Sequence, residues 1–292
     1  MGVSTAEARV VTDRWLRPLG WATLVSNAVL VVTGGAVRLT GSGLGCPTWP
    51  RCTDQSFTPH GALDVHTAIE FGNRTLTFVL VAVAVATFLA TLRSSRRDLL
   101  GLSVLLALGI PAQAVVGGIT VLTGLNPWVV SFHLLVSLAM IGLAVLFLFR
   151  LDEPSAPAVR PSPTVWLARA TFGVTWAVLY LGTVVTGSGP HAGDVDAPRN
   201  GLDPVQTSQL HADLVFLLVG LSVGLWSVLR ATHAEPRAIR AAQTVVLVEV
   251  LQGAIGFVQY FTDLPIVLVG LHMLGAAILS AVVTRLLLLV RA

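Results

Sequence analysis

Residues 128–149 read WVVSFHLLVSLAMIGLAVLFLF, a continuous apolar run without a charged side chain. A helix of roughly 20 apolar residues is long enough to cross the ~30 Å hydrocarbon core of a bilayer. Seven further runs share this character, at 18–38, 68–92, 99–122, 166–187, 208–230, 238–261 and 266–288. Because the runs are continuously apolar and not alternating, they predict helices and not the strands of a barrel.

The composition of the whole chain leads to the same class. Of 292 residues, 54% are hydrophobic and 11% are charged, with a mean hydropathy of +0.80. A soluble domain carries about 25% charged residues, so a soluble enzyme, a disordered chain and a coiled coil are excluded. We therefore predict an all-α integral membrane protein with eight transmembrane helices. No small-residue cleavage site follows the first run, so we expect a retained helix and not a signal peptide.

The charges predict an orientation in the membrane. All 18 fixed side-chain cations are arginines. They concentrate in the N-terminal segment and the even-numbered loops, at Arg9, Arg14, Arg17, Arg93, Arg96, Arg97, Arg150, Arg160, Arg230, Arg237 and Arg240. The odd-numbered loops are poorer in arginine and carry aspartates, at Asp54, Asp64, Asp194, Asp196, Asp203 and Asp263. The positive-inside bias then predicts a cell-membrane protein with both termini in the cytoplasm. This distribution explains the basic pI of about 9.5 without a nucleic-acid partner.

The chain contains an internal repeat. AQAVVGG at 112–118 matches LQGAIGF at 251–257 with an offset of 139, and His133 matches His272 with the same offset. Each half has four spans, so both halves insert the same way up and form a parallel repeat. We predict two pseudo-symmetric four-helix bundles with two similar sites.

A polar, proline-rich stretch separates the two halves. Residues 151–165 read LDEPSAPAVRPSPTV, which is typical of a linker. It divides an N-terminal four-helix half, 1–150, from a C-terminal half, 166–292. By the predicted orientation, this linker lies in the cytoplasm.

Four of the seven histidines lie near the outer ends of even-numbered spans, at His66, His133, His211 and His272. Imidazoles in spans cost free energy and commonly mark function. Facing helices of a four-helix bundle can supply two axial ligands to haem iron. We therefore predict that His211 and His272 ligate one haem iron, and that His133 ligates a second.

The repeat partner of His211 is Asn73, which is a poor iron ligand, so the two sites should differ chemically. His66, Glu70, Asn73 and Arg74 share one helical face. Glu70 has two interpretations, a structural ion pair with Arg74 or a carboxylate placed for proton handling. Arg74 is a candidate to bind a haem propionate.

The only two cysteines, Cys46 and Cys52, lie in GSGLGCPTWPRC at 41–52, in the first outside loop. A disulfide is their simplest state on the oxidising side. It is either a structural staple or a redox-active pair. Glu249 lies near the middle of the seventh span, where either a proton path or a packing role is open.

The whole chain resembles the haem A synthase family, membrane enzymes that oxidise haem O to haem A for terminal oxidases. The resemblance covers all eight spans. It rests on the loop at 41–52, on IEFGNR at 69–74, and on the histidines of spans four, six and eight. The IEFGNR form and the lack of lysine resemble the high-GC actinobacterial branch.

The resemblance implies a function for each half. The C-terminal half holds a resident haem b through His211 and His272, and the N-terminal half binds the substrate haem O with His133 as an axial ligand. Successive hydroxylations of the C8 methyl, followed by loss of water, give a formyl group. Pathway logic suggests haem O synthase and a quinol or other electron donor as partners, and self-association into a homo-oligomer stays open.

The resemblance also bears on the remaining site residues. Glu70 matches the family's essential carboxylate, and Cys46 and Cys52 match its extracytoplasmic cysteine pair. Many relatives have histidine where this chain has Asn73, so we expect a five-coordinate or weakly ligated haem O on His133. His66 lies on the same face about 10 Å along the helix axis, and it could substitute only if the haem sat differently.

Two other classes compete. A di-haem b-type electron carrier that oxidises quinol without modifying haem explains the histidines and the duplication. It does not account for Glu70, the cysteine pair or Asn73, and haem composition separates the two interpretations. A haem or lipid transporter is suggested by the parallel repeat alone. A prenyl transferase is disfavoured, because the sequence has no Asp-rich diphosphate motif.

Overall fold

Eight long helices make up the computed structural model, which describes residues 5–59, 64–154 and 160–290. They are α1 (Thr5–Leu39), α2 (Val65–Arg93), α3 (Leu100–Leu122), α4 (Pro127–Asp152), α5 (Pro163–Ser188), α6 (Pro204–Ala231), α7 (Pro236–Phe261) and α8 (Ile266–Leu289). No strand occurs within the described residues. All eight helices are long and apolar enough to cross a membrane. The predicted all-α, multi-pass membrane architecture is confirmed.

Four of the helices, α2, α4, α5 and α6, begin at a residue whose side chain caps them. The Asp64 carboxylate accepts a hydrogen bond of 2.8 Å from the backbone N–H of Thr67, and Asn126, Ser162 and Asp203 cap α4, α5 and α6 in the same way. Prolines occupy the first helical positions of α4 to α7. Proline lacks a backbone N–H, but an N–H at these positions would have no partner within the helix. The hydrogen bonds from the Thr67 backbone and hydroxyl hold the pKa of Asp64 below its ordinary value, because they stabilise the carboxylate.

Some helices are longer than the predicted spans. α1 begins at Thr5 and not at residue 18, α4 continues to Asp152, and α5 begins at Pro163. Hydropathy marks the part of a helix that lies in lipid, whereas helical hydrogen bonding continues into the polar flanks. The predicted linker at 151–165 is shortened accordingly, and its residues 155–159 lie outside the described part of the chain.

Each half forms a closed ring of four helices. α1 packs on α2, α2 on α3, α3 on α4 and α4 on α1, and α5 to α8 close in the same order. Contacts of α4 with α5 and α8, and of α1 with α8, join the rings around a core that includes Val31, Leu138, Leu179 and Ala277. The Ser280 hydroxyl crosses this joint and donates to the Leu138 carbonyl at 2.8 Å. The pseudo-symmetric relation between the halves stays a prediction.

The outer helices present large apolar side chains to their surroundings. Phe78, Phe216 and Phe261 are 74%, 64% and 76% exposed. Such a surface would drive association in water, but it suits contact with lipid tails.

Candidate functional site

In the C-terminal ring, His211 and His272 lie on α6 and α8, which are diagonally opposite. Within the described residues these two helices do not pack directly on each other. The Nδ1 atoms of both histidines are buried without a well-formed hydrogen bond in the described structure. Two imidazoles on diagonal helices therefore offer buried ring nitrogens that the described protein leaves without partners.

Glycines on the neighbouring helices let both imidazoles approach closely. A Cβ built on Gly182 of α5 would lie 3.3 Å from Cε1 of His211, and one on Gly256 of α7 would lie 3.6 Å from Cε1 of His272. The first distance is tighter than an ordinary van der Waals contact. A side chain at Gly182 would thus push on the imidazole of His211, whereas a methyl at Gly256 would just touch that of His272.

The N-terminal ring has a related arrangement around His133 of α4. Its ring lies against Gly117 of α3, where a Cβ would be 3.3 Å from Cε1, and its Nδ1 is buried without a partner among the described residues. The amide of Gln113 donates to the Ser137 hydroxyl and, at 3.3 Å, to the His133 carbonyl. These contacts fix the turn of α4 that carries the imidazole.

Asn73 lies on α2, which does not pack directly on α4 in the described structure. Its side-chain oxygen accepts a hydrogen bond of 2.8 Å from the Thr33 hydroxyl of α1. His66 is exposed at the outer end of α2, with Nδ1 3.1 Å from the Ser42 hydroxyl. The structure therefore holds Asn73 against α1 and His66 against the loop between α1 and α2.

Glu70 and Arg74 form a clamp on the cysteine loop, and we call this pair the loop clamp. Glu70 is only 4% exposed. One carboxylate oxygen is 2.5 Å from Nη2 of Arg74, and the other accepts a hydrogen bond of 2.6 Å from the Cys46 N–H. Arg74 donates to the carbonyls of Cys46 at 2.8 Å, Thr48 at 3.0 Å and Arg51 at 3.2 Å. Both members of the pair thus bind loop backbone.

The clamp uses every donor of the arginine. A guanidinium has five N–H groups, and all five of those on Arg74 are engaged, by Glu70 and by three loop carbonyls. The predicted contact of Arg74 with a haem propionate would have to displace one of these bonds. In this geometry Arg74 holds the loop.

The predicted disulfide is present. Cys46 and Cys52 are bonded and almost fully buried, at 0% and 1% exposure. The Gly45 carbonyl accepts a hydrogen bond of 3.0 Å from the Thr67 hydroxyl. A Cβ on Gly45 would lie 2.7 Å from the His66 backbone, so only glycine allows this close approach. The loop therefore lies directly on the outer end of α2.

Sequence reasoning missed Arg38, in the last turn of α1. It lines a cleft of about 130 Å³ that His133 also lines, between α1, α4, α5 and α8. It donates to the carbonyls of His191 and Thr186. An arginine in the apolar run at 18–38 is itself an unusual signal, and it was available in the sequence.

Glu249 is buried, at 3% exposure, away from the loop clamp. One oxygen accepts a hydrogen bond of 2.7 Å from the Ser222 hydroxyl. The other has no hydrogen-bond partner among the described residues. The choice between a proton path and a packing role stays open.

The histidine arrangement fits haem. Imidazole is an iron ligand, and His133, His211 and His272 each have a buried Nδ1 without a partner among the described residues. Each ring rests on a glycine that leaves it room. In the C-terminal ring two imidazoles are available as iron ligands. The N-terminal ring offers His133 on α4 and the amide of Asn73 on the diagonal helix α2.

Comparison with known proteins agrees with this site. Residues 17–284 match the family model COX15-CtaA, described as cytochrome oxidase assembly protein. The Heme A synthase of Bacillus cereus (strain 03BB102) is 25% identical over 296 aligned positions, which cover 95% of this chain and 94% of that protein. The Heme A synthase of Geobacillus thermodenitrificans is 29% identical over 148 positions, which cover 49% of this chain and 45% of that protein. Since the family match runs from the first helix to the last, the chain belongs to the COX15-CtaA family of cytochrome oxidase assembly proteins.

Proposed function

We propose that this protein is a haem A synthase, which oxidises the C8 methyl of haem O to a formyl group. Two monooxygenase-type hydroxylations convert the methyl to a hydrated aldehyde, and loss of water gives the formyl product. Each hydroxylation inserts one oxygen atom of dioxygen and releases the other as water, with two electrons and two protons from the donor. The observation that carries the proposal is the loop clamp, in which the buried Glu70 and its partner Arg74 hold the disulfide loop against α2. Family membership and the names of the relatives support it.

The N-terminal half binds the substrate. His133 would ligate the iron of haem O. Asn73 lies on α2, which is diagonal to α4 in the ring, and its amide is a poor ligand. The hydrogen bond from Thr33 holds that amide toward α1. A weakly held substrate suits an enzyme that must release its product.

The C-terminal half holds the resident cofactor. His211 and His272 would ligate haem b, and Gly182 and Gly256 would leave their rings room to do so. When bound, haem b transfers electrons between a donor and the substrate half. The electron donor we expect is a quinol, and we expect haem O synthase to deliver the substrate.

The loop clamp positions the outer edge of the substrate site. Glu70 holds the Cys46 N–H with one oxygen and Arg74 with the other, so its carboxylate is kept at a fixed place beside α2. There it can accept a proton released as the substrate is oxidised. Arg74 and the disulfide keep the loop folded over the end of the bundle, which limits the access of water.

The second candidate is a quinol-linked di-haem electron carrier, which the pair His211 and His272 favours. Such a carrier needs two well-ligated haems and leaves haem unmodified. The Asn73 position and the loop clamp have no role in it.

Haem analysis tests the proposal. The chain is expressed with a haem O synthase in a host that makes no haem A, and the extracted haems are separated by chromatography with mass detection. We expect haem A or its hydroxylated precursor from the wild type and from Asp54→Asn, which alters an exposed loop carboxylate. We expect neither from Glu70→Gln. Haem B alone, beside ample haem O in the membrane, would overturn the proposal in favour of the electron carrier.

A further inference from the structure

Arg38 carries a donor that the protein does not use. Its Nε donates to the His191 carbonyl at 2.7 Å and its Nη2 to the Thr186 carbonyl at 2.9 Å. In the described part of the chain, Nη1 has no hydrogen bond and no carboxylate lies within ion-pair distance. This differs from Arg74, whose donors are all engaged.

A second guanidinium lies beside it. Arg199 donates to the Pro190 and Ala197 carbonyls, both at 2.7 Å. Arg38 binds the carbonyl of His191, the residue after Pro190, so both arginines are anchored on one turn of the loop between α5 and α6.

This pair of charges lacks a counter-ion. Neither arginine forms an ion pair with any described carboxylate. Arg38 is half-buried and Arg199 is exposed. A carboxylate that reaches Arg38 would offset its charge, and carboxylates suit the planar guanidinium. The pair therefore has the chemistry of a carboxylate-binding site.

The position of Arg38 indicates which carboxylate. Arg38 and His133 line the same cleft of about 130 Å³. Nothing lies within 4 Å of a Cβ built on Gly34, one turn from Arg38 along α1, so this wall has free space. Small-molecule sites measure about 300–1,000 Å³, and this cleft is smaller. It therefore has room for the carboxylate-bearing edge of a porphyrin but not for the whole ring.

We propose that Arg38, supported by Arg199, binds the propionate carboxylates of the haem that His133 ligates. The inference rests on the proposed function for the identity of that haem. It assigns to Arg38 the binding of haem propionates that the sequence predicted for Arg74, whose donors are all engaged.

Binding titrations test the proposal. Haem O and haem O dimethyl ester are each titrated into the purified protein, and the Soret absorbance gives the dissociation constants. We expect the wild type to bind haem O roughly 10- to 100-fold more tightly than the ester, as for a charge-assisted hydrogen bond. Arg38→Gln should reduce haem O affinity to that of the ester and leave ester affinity unchanged. The control Arg240→Gln, at an exposed arginine of α7, should behave as the wild type.

Further arms keep the test decisive. The ester alters the ligand and not the protein, so the preference of the wild type for haem O is measurable even if Arg38→Gln does not fold. In that case Arg199→Gln replaces Arg38→Gln, and we expect it to lose part of this preference. Equal wild-type affinity for haem O and its ester overturns the proposal, and so does a variant that weakens both ligands equally. If discrimination survives His133→Ala but is lost in His211→Ala, the carboxylates belong to the resident haem and the proposal is wrong. Haem A production is measured separately, so its absence beside intact discrimination refutes the enzyme function and not the propionate site.

Discussion

The carboxylate of Glu70 accepts a hydrogen bond of 2.6 Å from the backbone N–H of Cys46, and so links α2 to the disulfide loop. The same carboxylate pairs with Arg74, which in turn binds the Cys46 carbonyl at 2.8 Å. One cysteine is thus held through both of its backbone polar groups. The conformation of the loop and the position of the carboxylate depend on each other.

Substitutions at Glu70 should separate its two tasks. Glu70→Ala leaves the Arg74 charge without its partner, and we expect a loss of about 2 kcal/mol or more in stability together with loss of haem A. Glu70→Gln keeps an acceptor for Cys46, so its thermal midpoint in detergent should fall less while haem A is still lost. Wild-type haem A yield from Glu70→Gln would remove the carboxylate from the reaction.

Removal of the disulfide should affect only the substrate half. The bridge closes a loop with a sequence separation of 6, and chain entropy assigns such a short loop about 2 kcal/mol. We expect the double variant Cys46→Ala/Cys52→Ala to lose most of its haem A production, while the optical spectrum of the resident haem is retained. A spectrum altered as strongly as the yield would show that the loop serves both halves.

The glycine beside His211 should control the resident haem. Gly182→Ala places a methyl 3.3 Å from Cε1 of His211, whereas a Cβ on Gly173 of the same helix meets nothing within 4 Å. We expect Gly182→Ala to lower the haem b content of the purified protein. Gly173→Ala should keep the content and raise stability slightly, since alanine is the better helix former. Equal haem content in both variants would contradict the assigned contact.

Asn73 should decide how the substrate iron is ligated. We expect the wild type to show one low-spin bis-imidazole haem and a second haem with weaker ligation. Asn73→His should add a second low-spin signal in the electron paramagnetic resonance spectrum. His66→Ala should change neither signal, because His66 is bonded to Ser42. Two low-spin haems in the wild type, one of them lost in His66→Ala, would identify His66 as the ligand.

The cap of α2 should give a pH dependence. The Thr67 hydrogen bonds hold the pKa of Asp64 below its ordinary value, so the folded state favours the carboxylate. Its stabilisation is present above the ordinary pKa and is lost as pH falls through the lower folded value. We expect Asp64→Asn to reduce the acid-side loss of stability, measured as the thermal midpoint against pH. If the thermal midpoint of Asp64→Asn fell at low pH as much as that of the wild type, the capping carboxylate would not stabilise the fold.

The sequence was sufficient for the features that depend on local pattern. Hydropathy located all eight helices, because the length and apolarity of a span are properties of a continuous segment. The disulfide followed because Cys46 and Cys52 are close in the chain and have no competitors. The pairing of Glu70 with Arg74 followed from helical spacing.

The targets of two arginines could not be read in the same way. Arg74 binds carbonyls of a loop more than twenty residues away, and Arg38 binds carbonyls of the other half. Backbone carbonyls carry no sequence signature, and their direction depends on the turns of a folded loop. The presence of a cation in an apolar helix was visible, but its partner required the fold.

The central claim is that the two halves hold two different haems, and the haems retained by histidine variants test it most directly. The protein is purified from the host that supplies haem O, and its haems are extracted and quantified. The account predicts that His133→Ala keeps haem B and loses haem O and its products, whereas His211→Ala loses haem B. Loss of the same haem from both variants would contradict the account.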